Sequence, residues 1–161
     1  MPSHTFRIVG LFAEDRVVDL KAVFEQAETL RDIRLVSIDF ERAEAVFVFD
    51  ATVAFPQATE QQVVEQFDQR LRQATRGTFG IRPQCTIARD KLEHVEIGVV
   101  GLDCRGCSYA AYLAICDLVG VEQATASFKQ GLVTAWIDPM RIDREKLEEA
   151  LQEKNVELAT P

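Results

Sequence analysis

Ile33-Arg34-Leu35-Val36-Ser37-Ile38-Asp39-Phe40-Glu41-Arg42-Ala43-Glu44-Ala45-Val46-Phe47-Val48-Phe49-Asp50 reads as two strands, 33–40 and 44–50, folded about Glu41-Arg42-Ala43. The same pattern returns as Val121-Glu122-Gln123-Ala124-Thr125-Ala126-Ser127-Phe128-Lys129-Gln130-Gly131-Leu132-Val133-Thr134-Ala135-Trp136-Ile137-Asp138. Both stretches run 18 residues without a gap, with Ile33 on Val121, Phe40 on Phe128 and Asp50 on Asp138. Upstream, Val9-Gly10-Leu11 matches Val100-Gly101-Leu102, and that glycine precedes the hairpin by 23 residues in the first copy and 20 in the second. Few positions are identical, so the repeat lies in register and pattern.

Each copy extends to strand, helix, strand, strand, helix, strand. In the first, Phe6 to Leu11 is a strand, and Val17, Leu20, Phe24 and Ala27 mark one face of a helix. Val63, Val64, Phe67 and Leu71 give a second helix its apolar face, and Thr78 to Arg82 is a last short strand. In the second copy the strands fall near 94–100, 121–128, 132–137 and 155–159, with helices near 106–119 and 143–154. Asp143 is the cap of the last helix, and Asn155 suits a left-handed residue at its end. The fold class is α+β: two tandem ferredoxin-like βαββαβ domains, each an antiparallel four-stranded sheet with both helices on one face. The expected domains are 1–83 and 91–161, joined by a linker from about Pro83 to Lys91; Ala51 to Thr59 makes the first copy the longer.

Composition excludes several classes of function. An apolar fraction of 47% in 161 residues supports real cores. A net charge of −8 argues against nucleic acid or anionic membrane as a partner, since both select clustered Lys and Arg. Met1-Pro2-Ser3-His4-Thr5 is too short and polar for a signal peptide, and no apolar run nears the roughly 18 residues of a membrane span. The expectation is a cytoplasmic protein with no membrane insertion. There thiols stay reduced, so four cysteines point to metal or redox chemistry before structural disulfides.

Cys104 and Cys107 carry that chemistry. They lie in Gly101-Leu102-Asp103-Cys104-Arg105-Gly106-Cys107, between an apolar strand and a helix. At a helix N-terminus the unpaired N–H groups and the dipole favour thiolate over thiol. Thiolates hold soft ions: two favour linear Cu(I), or take Zn(II) or Hg(II) with help from a second molecule. Asp103 is read as a loop residue or cap, with a hard zinc ligand as the lesser alternative, and Arg105 either as a charge that favours thiolate or as only a solvated side chain. His4 and His94 are rejected as ligands. Cys116, nine residues on, lies about 13 Å further along the helix on its opposite side, so it shares no ion with Cys107. Cys85 is read as a linker thiol, with a third-ligand role as the lesser alternative.

The second copy resembles the heavy-metal-associated domain family, found in copper chaperones, in copper- and zinc-transporting P-type ATPases and in mercury-resistance proteins. That family's pattern is roughly Gly-Met-x-Cys-x-x-Cys, then Gly-Val 13 and 14 residues later and Asp-Pro after the third strand. Gly120-Val121 and Asp138-Pro139 stand at those places, and the match covers residues 94–159. Leu102 replaces the usual Met, and Val156 stands where copper chaperones often have Lys and bacterial domains Tyr or Phe. The first copy, a weaker match over residues 5–82, has Ala13 and Arg16 at the two cysteine positions. The resemblance implies a cytosolic metal carrier or sensor with Cys104 and Cys107 as ligands, Cu(I) first and Zn(II) or Hg(II) as alternatives. The implied partner is a metal-exchange protein such as a domain of a metal-transporting ATPase.

The helix after the cysteine pair is apolar on two faces. Ala111, Ala114, Ile115 and Leu118 form the stripe expected against the sheet; Tyr109, Tyr112, Leu113 and Cys116 form a second. That second stripe is expected at an interface, with the first domain or with a second molecule in a homodimer. The acidic last helix, with Glu145, Glu148, Glu149 and Glu153, is expected to be solvated or to dock a basic patch. The competing function is an interaction or dimerisation module in which metal binding is secondary or lost. An enzyme is not expected: no triad, phosphate loop, paired acid–base site or thioredoxin-type Trp-Cys-Gly-Pro-Cys occurs.

Overall fold

The computed structural model describes residues 2–101 and 104–159. The chain forms two compact units, Met1–Cys85 and Thr86–Pro161. The first contains β1 (Ser3–Val9), α1 (Arg16–Gln26), β2 (Arg34–Asp39), β3 (Glu44–Val48), the short α2 (Ala51–Ala54), α3 (Glu60–Thr75) and β4 (Gly80–Pro83). The second contains β5 (Glu93–Val100), α4 (Arg105–Cys116), β6 (Val121–Ser127), β7 (Leu132–Ile137), α5 (Arg144–Glu153) and β8 (Glu157–Leu158). The sheets are antiparallel with orders β2-β3-β1-β4 and β6-β7-β5-β8, so each unit is ferredoxin-like.

The repeat is written into the strand ladders. Asp39 pairs with Glu44, and Ser127 with Leu132, the same register in both hairpins. Arg7 lies opposite Glu44 and Gly98 opposite Leu132; Val9 lies opposite Gly80 and Val100 opposite Glu157. Each hairpin turns through one left-handed residue, Ala43 (φ 52°) or Gly131 (φ 61°). The N–H of Ile8 reaches the Ala43 carbonyl at 2.6 Å, and that of Val99 the Gly131 carbonyl at 2.9 Å. The extra three residues between glycine and hairpin in the first unit are taken up around a 3-10 turn, Glu28–Leu30.

The cores differ in material. Nine of the ten phenylalanines fall in the first unit, leaving Phe128 to the second. Phe67 of α3 sits amid five of the others, its nearest centroid being that of Phe47 at 4.9 Å and its farthest that of Phe24 at 6.3 Å. The second core is small and aliphatic: Val95, Ile97 and Val99 of β5 and Ala135 and Ile137 of β7 lie under Ala111, Ile115, Leu147 and Leu151 of the helices. On β5 the buried residues alternate with outward His94 and Glu96, as a sheet covered on one face requires.

Helix ends follow local chemistry. Thr59 and Gln62 form a reciprocal capping box on α3. Asp143 accepts the Lys146 N–H at 3.0 Å, and Asn155 is left-handed at φ 64°. Asp50 and Asp138, paired by the repeat, each accept the N–H two residues on, from Thr52 and Met140, at 3.0 Å.

Strand ends depart from expectation. β1 begins earlier and stops at Val9, because Gly10 turns the chain at φ 111°. Thr78 and Phe79 stay outside β4: Arg76 and Gly77 are both left-handed, and the Thr78 N–H folds back to the Thr75 carbonyl. β8 is two residues long. Within 83–91, Pro83 belongs to β4, opposite Phe6, and Arg89–Lys91 form a 3-10 turn. No helix among the described residues is long and apolar enough to cross a membrane.

Candidate metal centre

β5 ends at Val100, and Gly101 after it, with a φ of 82°, lets the chain leave the sheet. Leu102, which replaces the family's Met, and Asp103, read as a loop residue or cap, lie outside the described residues. Cys104 is the N-cap of α4, with extended backbone, and its Sγ accepts the Cys107 N–H at 3.1 Å. The Cys104 carbonyl accepts the Ser108 N–H at 3.1 Å, starting the helical ladder. Cys107 is on the first turn, so one turn of helix brings both sulfurs together, 2.7 Å apart against about 2.05 Å for a disulfide. Cys104 is exposed and Cys107 half-buried. At Gly106 an added Cβ would lie 3.8 Å from the Cys104 Sγ, in ordinary van der Waals contact with it.

Among the described residues no third His, Cys, Asp or Glu joins this pair to make a fuller metal cluster. His94 lies at the other end of β5, 4.7 Å from the Trp136 ring and 3.9 Å from the Glu96 carboxylate. His4 stacks on Phe49 at 4.2 Å in the first unit. Cys85 is half-buried at the boundary of the units. Cys116, the last residue of α4, is buried. The site is thus a pair of soft donors at a helix N-terminus, where N–H groups and dipole stabilise negative charge. A thiophilic ion of low coordination number suits it.

The rest of α4 divides the stripes drawn from the sequence. Ala111 and Ile115 are fully buried, whereas Ala114 and Leu118 are half-buried. Of the second stripe, Tyr112 and Cys116 are buried, Tyr109 is half-buried and Leu113 is 44% exposed. α4 packs on α5 as well as on β6, so a helix apolar on two faces already has two neighbours inside its own unit. Ser108, beside Cys107, is 1% exposed and its hydroxyl has no partner among the described residues. Along α5, Arg144 pairs with Glu148 at 2.9 Å and Lys146 with Glu149 at 3.7 Å.

The sequence marks Arg16 only as a residue at a cysteine position; what it does there, and its partner Phe79, come from the structure. By the ladder registers Ala13 and Arg16 take the places of Cys104 and Cys107, and Phe79 that of Val156. Arg16 lies with its guanidinium 4.1 Å from the centre of the Phe79 ring. The signal available was the coincidence of a cation and an aromatic ring at two matched positions.

Solved structures similar to the chain include the CopZ metallochaperone, at 19% identity over 42% of this chain and 100% of that one, TM-score 0.40. Another is the N-terminal domain of the zinc(II) ATPase ZiaA, at 26% identity over 44% of this chain and 99% of that one, TM-score 0.39. The N-terminal soluble domains of Bacillus subtilis CopA align with 98% of this chain and 91% of their own length, at 11% identity and TM-score 0.39. No family model and no curated protein matches the chain.

Proposed function

We propose that the second unit, residues 91–161, is a heavy-metal-associated domain that carries a soft metal ion as cargo between Cys104 and Cys107. Cu(I) is the first choice, Zn(II) and Hg(II) the alternatives. One observation carries the reading: two cysteine sulfurs converge at the N-terminus of α4, one of them exposed, with no third protein ligand beside them among the described residues. Both thiols give up their protons on binding, and the helix N-terminus favours the resulting charge. Release is ligand exchange: an incoming thiolate bonds to the ion, one cysteine sulfur departs and takes up a proton, and the second step repeats the first. Low coordination and an exposed sulfur keep that path open. The recipient is a cysteine-bearing metal-exchange protein, such as a domain of a metal-transporting ATPase, met in the cytoplasm. The exposed carboxylates of α5 suit a basic recipient. Zn(II), which takes four ligands, would draw in a second chain or partner.

The test is a titration of reduced protein with Cu(I) against a competing chelator, beside Cys104→Ala/Cys107→Ala. One ion per chain, or one per two chains, bound by the wild type and lost in the variant is the expected result. Equal binding by both proteins, with Cu(I), Zn(II) and Hg(II) alike, would remove the metal reading. The chain would then be a paired-domain interaction module, a role that the cysteine-free site of residues 1–83 already favours for the first unit.

A further inference from the structure

We infer that Arg16 is the first unit's built-in substitute for a bound ion. The strand registers place Ala13 and Arg16 where the second unit has Cys104 and Cys107, although α1 begins at Arg16, two places later in the repeat than α4 at Arg105. Gly10 breaks β1 with positive φ as Gly101 breaks β5, and three residues later the chain enters a turn closed by the Arg16 N–H on the Ala13 carbonyl at 3.0 Å. What differs is the occupant. An ion between the two matched positions would tie loop to helix. In the first unit the Arg16 guanidinium makes that tie and extends it to the loop before β4. Its Nε donates to the Gly10 carbonyl at 3.3 Å, its Nη1 to the Asp19 carboxylate at 2.9 Å, and its Nη2 to the Thr78 carbonyl at 3.5 Å. Phe79 supplies the floor under the cation, and the Arg16 side chain is only 13% exposed. Loop, helix and the segment leading into β4 are thereby joined by one fixed positive charge.

The consequence is a division of labour inside one chain. A cation held by three acceptors and an aromatic face repels a second cation and leaves it no soft donor. The first unit therefore stays organised with no metal and does not compete for the ion of the second. The comparison with an ion rests on the metal reading of Cys104 and Cys107; the tie that Arg16 makes within residues 1–83 is tested separately, by Arg16→Met.

The experiment is done in the Cys104→Ala/Cys107→Ala background, which leaves only Cys85 and the buried Cys116, so that any cysteine pair is a new one. Ala13→Cys/Arg16→Cys is expected to take up one Cu(I) per chain against a competing chelator, where the parent takes none, and to gain thermal stability when loaded. Arg16→Met keeps an apolar chain on Phe79 but removes the charge. It is expected to remain folded while the Thr78 and Phe79 amides exchange with deuterium about tenfold faster, or more, as loss of charged hydrogen bonds implies. A double-cysteine variant that binds no Cu(I), whether folded or unrescued by the ion, overturns the inference. So does unchanged exchange at Thr78 and Phe79 in Arg16→Met.

Discussion

Cys104 caps a helix with an atom poorly suited to capping. Its Sγ accepts the Cys107 N–H at 3.1 Å, yet sulfur is a weak acceptor, whereas serine oxygen is among the preferred N-caps. Exchanging Ser for Ala at such a position changes stability by about 1 kcal/mol, with the cysteine expected between the two. Cys104→Ser should thus raise the stability of the metal-free unit by a few tenths of a kcal/mol up to about 1, and Cys104→Ala should lower it comparably. In a unit of this size 1 kcal/mol moves Tm by roughly 4–8 °C, so the Ser and Ala variants should bracket the wild type with a gap of several degrees. The chain's single tryptophan, Trp136, lies on β7, so its emission follows unfolding of this unit and no other. Melts run with a chelator present read the cap alone. Both variants should lose Cu(I), since a hydroxyl stays protonated where a thiol ionises. If Cys104→Ser melted with or below Cys104→Ala, the Sγ contact would not be a cap and the account of the α4 start would be wrong.

Phe67→Ala should destabilise the first unit by about 3–5 kcal/mol, because five rings lose their common neighbour, and far-UV circular dichroism in urea would measure it. Ser108→Ala should be neutral or stabilising by up to about 1 kcal/mol, since it removes a buried hydroxyl with no partner among the described residues; a clear loss would reveal a partner for that oxygen. The Asp50 carboxyl is held below the usual aspartate range, first by the Thr52 hydroxyl and then by the Thr52 N–H. Its contribution to stability is present above the ordinary aspartate pKa and fades as pH falls through the lowered one, so Asp50→Asn should flatten the acid limb of a stability–pH curve.

The repeat could be read from the residues because hairpin register is a local property: alternation and a tight turn fix which residue faces which. That Cys104 and Cys107 come together is legible for the same reason, since an i, i+3 pair at a helix start needs nothing from the rest of the chain. Distant partners were not available to that reading. Arg16 looked like a missing ligand; its role depends on the Thr78 carbonyl, 62 residues away, and on the ring beside it. The second stripe of α4 sets Leu113 beside Tyr112 as an equal, but Tyr112 is buried and Leu113 is exposed in a helix packed on both β6 and α5, and periodicity alone does not say where that cover ends. β8 was drawn longer than its two residues because propensity gives no account of where a ladder runs out.

Two hairpins of identical register on one chain pose a hazard during synthesis and refolding: either could be mistaken for the other. Tandem repeats are prone to such strand exchange, which yields swapped or mixed domains. Here the cores act as a filter. Phe47 and Phe49 of the first hairpin fall at the places of Ala135 and Ile137 in the second, and all four are essentially inaccessible to solvent. A wrongly inserted first hairpin would press the Phe47 ring into space sized for a methyl group and the Phe49 ring into that of an isoleucine, and overpacking of that kind costs about 1–3 kcal/mol per site. The reverse exchange would leave voids among the rings around Phe67. Divergence of the two interiors thus keeps each half of the chain folding with its own strands.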